Sequence, residues 1–103
     1  MIQHIVCFRF KADAPPEAIQ AHMDSFAALK DAIPQIASYR AGQTLPGDSY
    51  AKPDYDVVHV LTYRTRDDLD AYEVHPAHRA FGAANRAIWD NVLVINTALD
   101  GRD

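Results

Sequence analysis

Five histidines (His4, His22, His59, His75 and His78) and the tyrosine Tyr72 are the side chains best equipped for chemistry in this 103-residue sequence. A histidine exchanges protons near neutral pH, and a tyrosine beside it orients the ring or donates to an oxygen that gains charge. Tyr72 and His78 share the run Tyr72-Glu73-Val74-His75-Pro76-Ala77-His78 and suit those roles. Burial in an apolar pocket keeps an imidazole neutral, and a helix N-terminus also opposes its protonation. Such a base removes an acidic proton next to a carbonyl, as aldol closure or lyase chemistry requires. Tyr72, at helical spacing from Leu69, has the alternative reading of a core residue with its hydroxyl tied to a carbonyl. His4, on the more apolar face of a first strand, reads as a pocket residue or a satisfied core histidine. His59 reads as pocket or dimer contact, and His22, beside a helical stripe, as solvent-facing. His75, directly before Pro76, reads as a helix cap.

Metal and thiol chemistry are weighed against the same residues. His75 and His78 are three apart, and His4 or His59 would supply a third ligand. Capping already accounts for His75, and neither a carboxylate at ligand spacing nor a Cys-rich pattern follows, so no metal is expected. Haem would need an axial ligand and a large apolar pocket, and no cofactor is expected. Cys7 faces away from His4 with only Arg9 as a basic neighbour, which argues against a reactive thiolate.

The elements that must position these residues follow from hydropathy patterning. In Ile2 to Phe10 the even positions form one face and Gln3, Ile5, Cys7 and Arg9 the other. Asp13 is the expected cap of a helix entered through Pro15 and Pro16. Its stripe is Ile19, Met23, Phe26, Leu29 and Ile33, and Pro34 stops it. A second strand is expected from Ile36 to Ala41, ending at Gly42. An irregular connection follows through Pro46-Gly47-Asp48 and Pro53, of a length often found at functional loops. Tyr55 to Tyr63 gives a third strand with Tyr55, Val57, His59, Leu61 and Tyr63 on one face. Thr65 and Asp68 resemble a capping box ahead of a short helix with Leu69 and Tyr72. Pro76 opens a renewed helix through Phe81, Ile88 and Trp89, and Val92 to Leu99 is the last strand.

The order β-α-β-β-α-β has a compact solution in the split βαβ arrangement, so the expected class is α+β, ferredoxin-like, with a four-stranded antiparallel sheet. Two helical segments cover one face of that sheet, yet the third and fourth strands are apolar on both. The same face of a second copy is the simplest cover, which predicts a homodimer with sheets packed face to face, a dimeric α/β barrel. One domain over residues 1–99 with a C-terminal tail at 100–103 accounts for the chain. The net charge of −4 and the lack of a Lys/Arg run argue against nucleic acid. The first strand is too short and polar for a signal peptide or membrane span, and a lone cysteine suits a reducing compartment, the cytoplasm.

These residues resemble the stress-responsive A/B barrel (Dabb) domain of the dimeric α/β-barrel superfamily. The resemblance rests on Met1-Ile2-Gln3-His4-Ile5-Val6-Cys7-Phe8-Arg9-Phe10-Lys11, the Ile33-Pro34 helix end, Gly42, and Leu69-Asp70-Ala71-Tyr72-Glu73-Val74-His75-Pro76-Ala77-His78. It implies the same dimeric barrel. The stretch from Tyr72 to Trp89 is similar to a plant branch of polyketide cyclases, which close poly-β-keto chains into aromatic acids. That likeness implies that Tyr72 and His78 act together and that His4 belongs to the site. A further histidine of those cyclases falls on Val57, where this chain departs from the pattern, with His59 one pleat away on the same face.

Two functional readings follow. In the first, a homodimer binds a small carbonyl or aromatic compound in a pocket between sheet and helices. His78 and Tyr72 would be catalytic there, with His4, His59, Phe81 and Trp89 binding substrate. In the second, the protein is a non-catalytic stress-response component whose histidines are structural. An open cavity at His78 and Tyr72 favours the first, a filled interior the second.

Overall fold

The computed structural model describes residues 1–45 and 54–101. The expected turn residues Pro46-Gly47-Asp48 and Pro53 lie outside them, as do the tail residues Arg102 and Asp103. Strand β1 (Ile2–Phe10) buries its even positions His4, Val6, Phe8 and Phe10, the alternation its residue types dictate. It lies between β3 (Val57–Tyr63) and β4 (Trp89–Ala98), and β2 (Ser38–Gln43) flanks β3, giving the order β2-β3-β1-β4 with every pair antiparallel.

Helix α1 (Pro16–Ala32) starts from Pro15 without a side-chain cap, so Asp13 does not take the role its position predicts. Pro16 at the first turn has no N–H to satisfy, and the Ala18 amide donates to the Pro15 carbonyl at 3.0 Å in place of a side-chain cap. The buried stripe is His22, Phe26, Leu29 and Ile33. At about 100° per residue these four fall within roughly 60° of one another, whereas Ile19 and Met23 sit on the flank and are only partly buried. His22 is therefore a core residue, a correction to its solvent-facing expectation: its exposure is 0%.

The second helical segment is three pieces, α2 (Arg66–Val74), α3 (Pro76–Asn85) and a 3-10 turn (Arg86–Ile88). Thr65 caps α2, its side chain accepting from the Asp68 amide at 3.2 Å. His75 is extended, as a residue before proline prefers, and its Nδ1 accepts from the Ala77 amide at 3.0 Å, capping α3. Trp89 opens β4 rather than closing a helix, pairing with Phe10 across a register shift. Strand β2 begins two residues later than expected and runs through Gly42 to Gln43, because Gly42 keeps an ordinary strand conformation and pairs with Val58. Ile36, ahead of it, is buried in the core.

The helices cover β3 and β1 and leave β4 open. Val92, Leu93, Val94 and Ile95 are between 39% and 47% exposed. On the far face of the sheet, Ile5 lies between Val60 and Ile95, and Cys7 between Val58 and Leu93, so an apolar band crosses three strands without cover from this chain.

Candidate active-site cavity

The uncovered edge at β4 opens into a cavity of about 310 Å³ bounded by β1, β4, α2 and α3. His4, Tyr72 and His78 reach it from three different elements, and Phe81, Trp89, Val92 and Val94 give it an apolar wall. In an unbroken helix, residues six apart lie about 120° apart around the axis, and Tyr72 and His78 would not meet. The extended His75 ahead of Pro76 re-aims α3, so the two rings stand 4.5 Å apart. The His4 ring meets the Tyr72 ring edge-on at 5.4 Å.

Hydrogen bonds fix which nitrogens remain available. His78 Nδ1 donates to the Glu73 carbonyl oxygen at 3.1 Å, one of the carbonyls that the end of α2 leaves unpaired. A carbonyl can only accept, so the proton is on Nδ1. His4 Nδ1 likewise donates to Asn96 Oδ1, the residue opposite it in the β1–β4 register. In both rings Nε2 has no hydrogen-bond partner among the described residues. Burial holds His4 below its ordinary range, opposed by the Asn96 hydrogen bond and the Glu73 charge, so its imidazole is neutral at pH 7. Burial pushes the Tyr72 phenol up, making it a donor and not a phenolate.

The other sequence-derived candidates divide. Phe81 and Trp89 line the cavity. His59 does not: it is wholly buried under α1, stacked on Phe26 at 3.7 Å, with Nδ1 2.8 Å from the Tyr39 hydroxyl and Nε2 3.1 Å from His22 Nε2. Lying on β3, one strand farther from β4, it meets α1 instead of the opening. Val57 is buried in the core. Trp89 is held by its indole N–H, which donates to His22 Nδ1 at 3.0 Å. Burial raises the Cys7 thiol, consistent with an unreactive side chain. Among the described residues no group of three His, Cys, Asp or Glu is placed to hold a metal ion, and no helix is long and apolar enough to cross a membrane.

Sequence reasoning missed His22 as a core residue, Asn96 as the partner of His4, and Arg79 and Arg86 as part of the cavity lining. The helical recurrence of His22 with Phe26, Leu29 and Ile33 could have found the first. Asn96 needs the strand register.

Topology and cavity define an α+β ferredoxin-like domain with a pocket at its open sheet edge. The chain belongs to the Stress responsive A/B Barrel Domain (Dabb) family, whose model matches residues 2–98. It is similar to olivetolic acid cyclase of Cannabis sativa, with 21% identity over 95 residues, covering 92% of this chain and 93% of the cyclase. Among solved structures, a dimeric ferredoxin-like protein of unknown function from Thermobifida fusca superposes with a TM-score of 0.79 at 28% identity, covering 95% of this chain and 90% of the other. Hydroxynitrile lyase from Passiflora edulis shares the fold with a TM-score of 0.88 at 16% identity, covering 99% and 95%.

Proposed function

We propose that the chain is a homodimer joined through the uncovered sheet face, and that it binds a small carbonyl or aromatic compound in the cavity and performs cyclase- or lyase-type acid–base chemistry on it. One observation carries this reading: His4, Tyr72 and His78 converge on an open apolar-walled cavity of about 310 Å³, and a site of that size suits a small molecule. His78, with Nδ1 committed to Glu73, offers Nε2 as the base. Tyr72 donates to the oxygen that gains charge as the proton leaves, and neutral His4 positions the substrate. A cyclase and a lyase among the similar proteins fit such chemistry. The dimeric Thermobifida fusca structure supports self-association, as does the apolar band across Ile5, Val60 and Ile95. The lone cysteine fits a cytoplasmic setting.

The second reading, a non-catalytic protein with structural histidines, has its own support. His22, His59 and His75 all spend ring nitrogens on partners inside the chain.

Hydrogen–deuterium exchange at the methyl group of acetophenone, followed by proton NMR in the presence of the protein, separates the two. Exchange above the buffer rate that disappears in His78→Ala and Tyr72→Phe, with both variants folded and dimeric, is the expected result. No exchange together with no movement of the His4 and His78 ring resonances, or unfolding of His78→Ala, would transfer the case to the structural reading.

A further inference from the structure

We propose that the cavity selects ligands that carry a carboxylate, and that Arg79 and Arg86 hold it. The inference rests on the cavity being a ligand site, as above, and adds the class of compound it takes. Both arginines line the cavity. They are seven apart, on α3 and on the 3-10 turn that continues it, which brings them to nearly the same azimuth two turns apart. Both side chains are exposed, and among the described residues neither guanidinium has an ion-pair or hydrogen-bond partner; Arg40 and Arg64 share that state, but Arg79 and Arg86 are the arginines that line the cavity. Gly82 lies between them on the cavity wall, and a Cβ there would stand 3.2 Å from Arg86 Nη2. The missing side chain leaves the Arg86 guanidinium room to lie along the wall.

Charge and polarity across the cavity point the same way. Glu73 is the one acid on the lining, and it pairs with neither arginine. Two cations therefore face one anion across otherwise apolar or neutral walls. A ligand with an apolar body against Phe81, Trp89 and Val94 and a single carboxylate at the arginines complements both features. A guanidinium fork matches a carboxylate in geometry as well as charge, and it does so better than it matches a neutral amide.

Benzoate and its neutral isostere benzamide test this on the whole chain at low salt, with affinities from calorimetry and contacts from the His4 and His78 ring resonances. Benzoate should bind roughly tenfold more tightly than benzamide, the value of one charge-assisted hydrogen bond. The double variant Arg79→Met/Arg86→Met should bring the two affinities together, benzoate losing more than benzamide, and Arg86→Lys should retain part of the preference. Equal binding of the two compounds by the natural chain, or a preference surviving in the double variant, overturns the carboxylate assignment while leaving the cavity a ligand site. If neither compound binds or moves either histidine, the ligand-site reading itself falls, and this inference with it.

Discussion

His22 Nε2 and His59 Nε2 stand 3.1 Å apart in the core, both rings with 0% exposure. Their protons are assigned by the neighbours at either end. The Trp89 indole can only donate, so His22 Nδ1 accepts and the His22 proton is on Nε2. His59 Nε2 accepts that proton's hydrogen bond, and His59 Nδ1 donates to the Tyr39 hydroxyl 2.8 Å away. Each nitrogen of the pair has one partner, and the arrangement holds only while both rings are neutral. An added proton would set two N–H groups against each other or displace the indole from the cavity wall.

That pair makes stability depend on pH. Burial lowers His22 from 6.5 to about 4, and burial, followed by the nearby His22, lowers His59 from 6.5 to about 3. Below pH 6.5 the unfolded chain takes up protons that the folded chain refuses, so stability is fully present above that pH and declines as pH falls toward the two folded values. The slope in this window is at most about 1.4 kcal/mol per pH unit for each histidine. His4, also lowered, adds in the same direction. Urea midpoints should fall between about pH 7.5 and about pH 5. A flat profile would mean that the pair already carries a proton when folded.

Tyr63 gives a prediction of the opposite kind to the cavity residues. It is wholly buried, and its hydroxyl makes no well-formed hydrogen bond among the described residues, although it lies close enough to that of Tyr72 for each to shift the other. Desolvating a hydroxyl without a partner costs about 1–3 kcal/mol, so Tyr63→Phe should leave stability unchanged or raise it by about 1 kcal/mol. A thermal midpoint several degrees below that of the natural chain would show that the hydroxyl does have a partner.

The residue types alone expose the parts of this fold that depend on alternation and on local stops. The buried even face of β1, the end of α1 before Pro34 and the cap at His75 are all of that kind. Residues whose role depends on what lies opposite are hidden. His22 is polar, so apolar spacing draws the α1 stripe toward Ile19 and Met23 and away from its true centre. Asn96 becomes a partner of His4 only once β4 is paired with β1 in register. His59 shares a strand face with Val57 but faces α1, because β1 separates β3 from the open edge strand β4. Arg79 and Arg86 look like an ordinary solvated helix face until β4 turns that face into one side of a cavity.

The dimer can be tested on the open face without touching the cavity. Val60 pairs with Ile5 and Arg40 at the middle of the sheet and points away from the helices. In a dimer joined through this face, a charge placed there would be buried against an apolar band at a cost of several kcal/mol, since it would lack a counter-charge. Val60→Lys should therefore halve the sedimenting mass at low protein concentration while the far-UV circular dichroism keeps its α+β shape. An unchanged mass would put the contact between copies on some other surface.

Asn96 tests how the cavity holds His4. Its Oδ1 accepts from His4 Nδ1, and that hydrogen bond raises the His4 pKa against the larger lowering by burial. Asn96→Leu removes the supporting interaction and leaves the burial, so the His4 pKa should fall further, and the ring should lose its preference for the Nδ1–H tautomer. Asn96 is exposed, so the cost to folding should stay below about 1.5 kcal/mol, the usual worth of one hydrogen bond. Titration of the His4 Cε1 proton, with the ring nitrogen shifts read from the same samples, reports both effects. A rise in the pKa would mean that Asn96 does not accept from the ring, and that His4 is held in the cavity by its packing against Tyr63 and Tyr72.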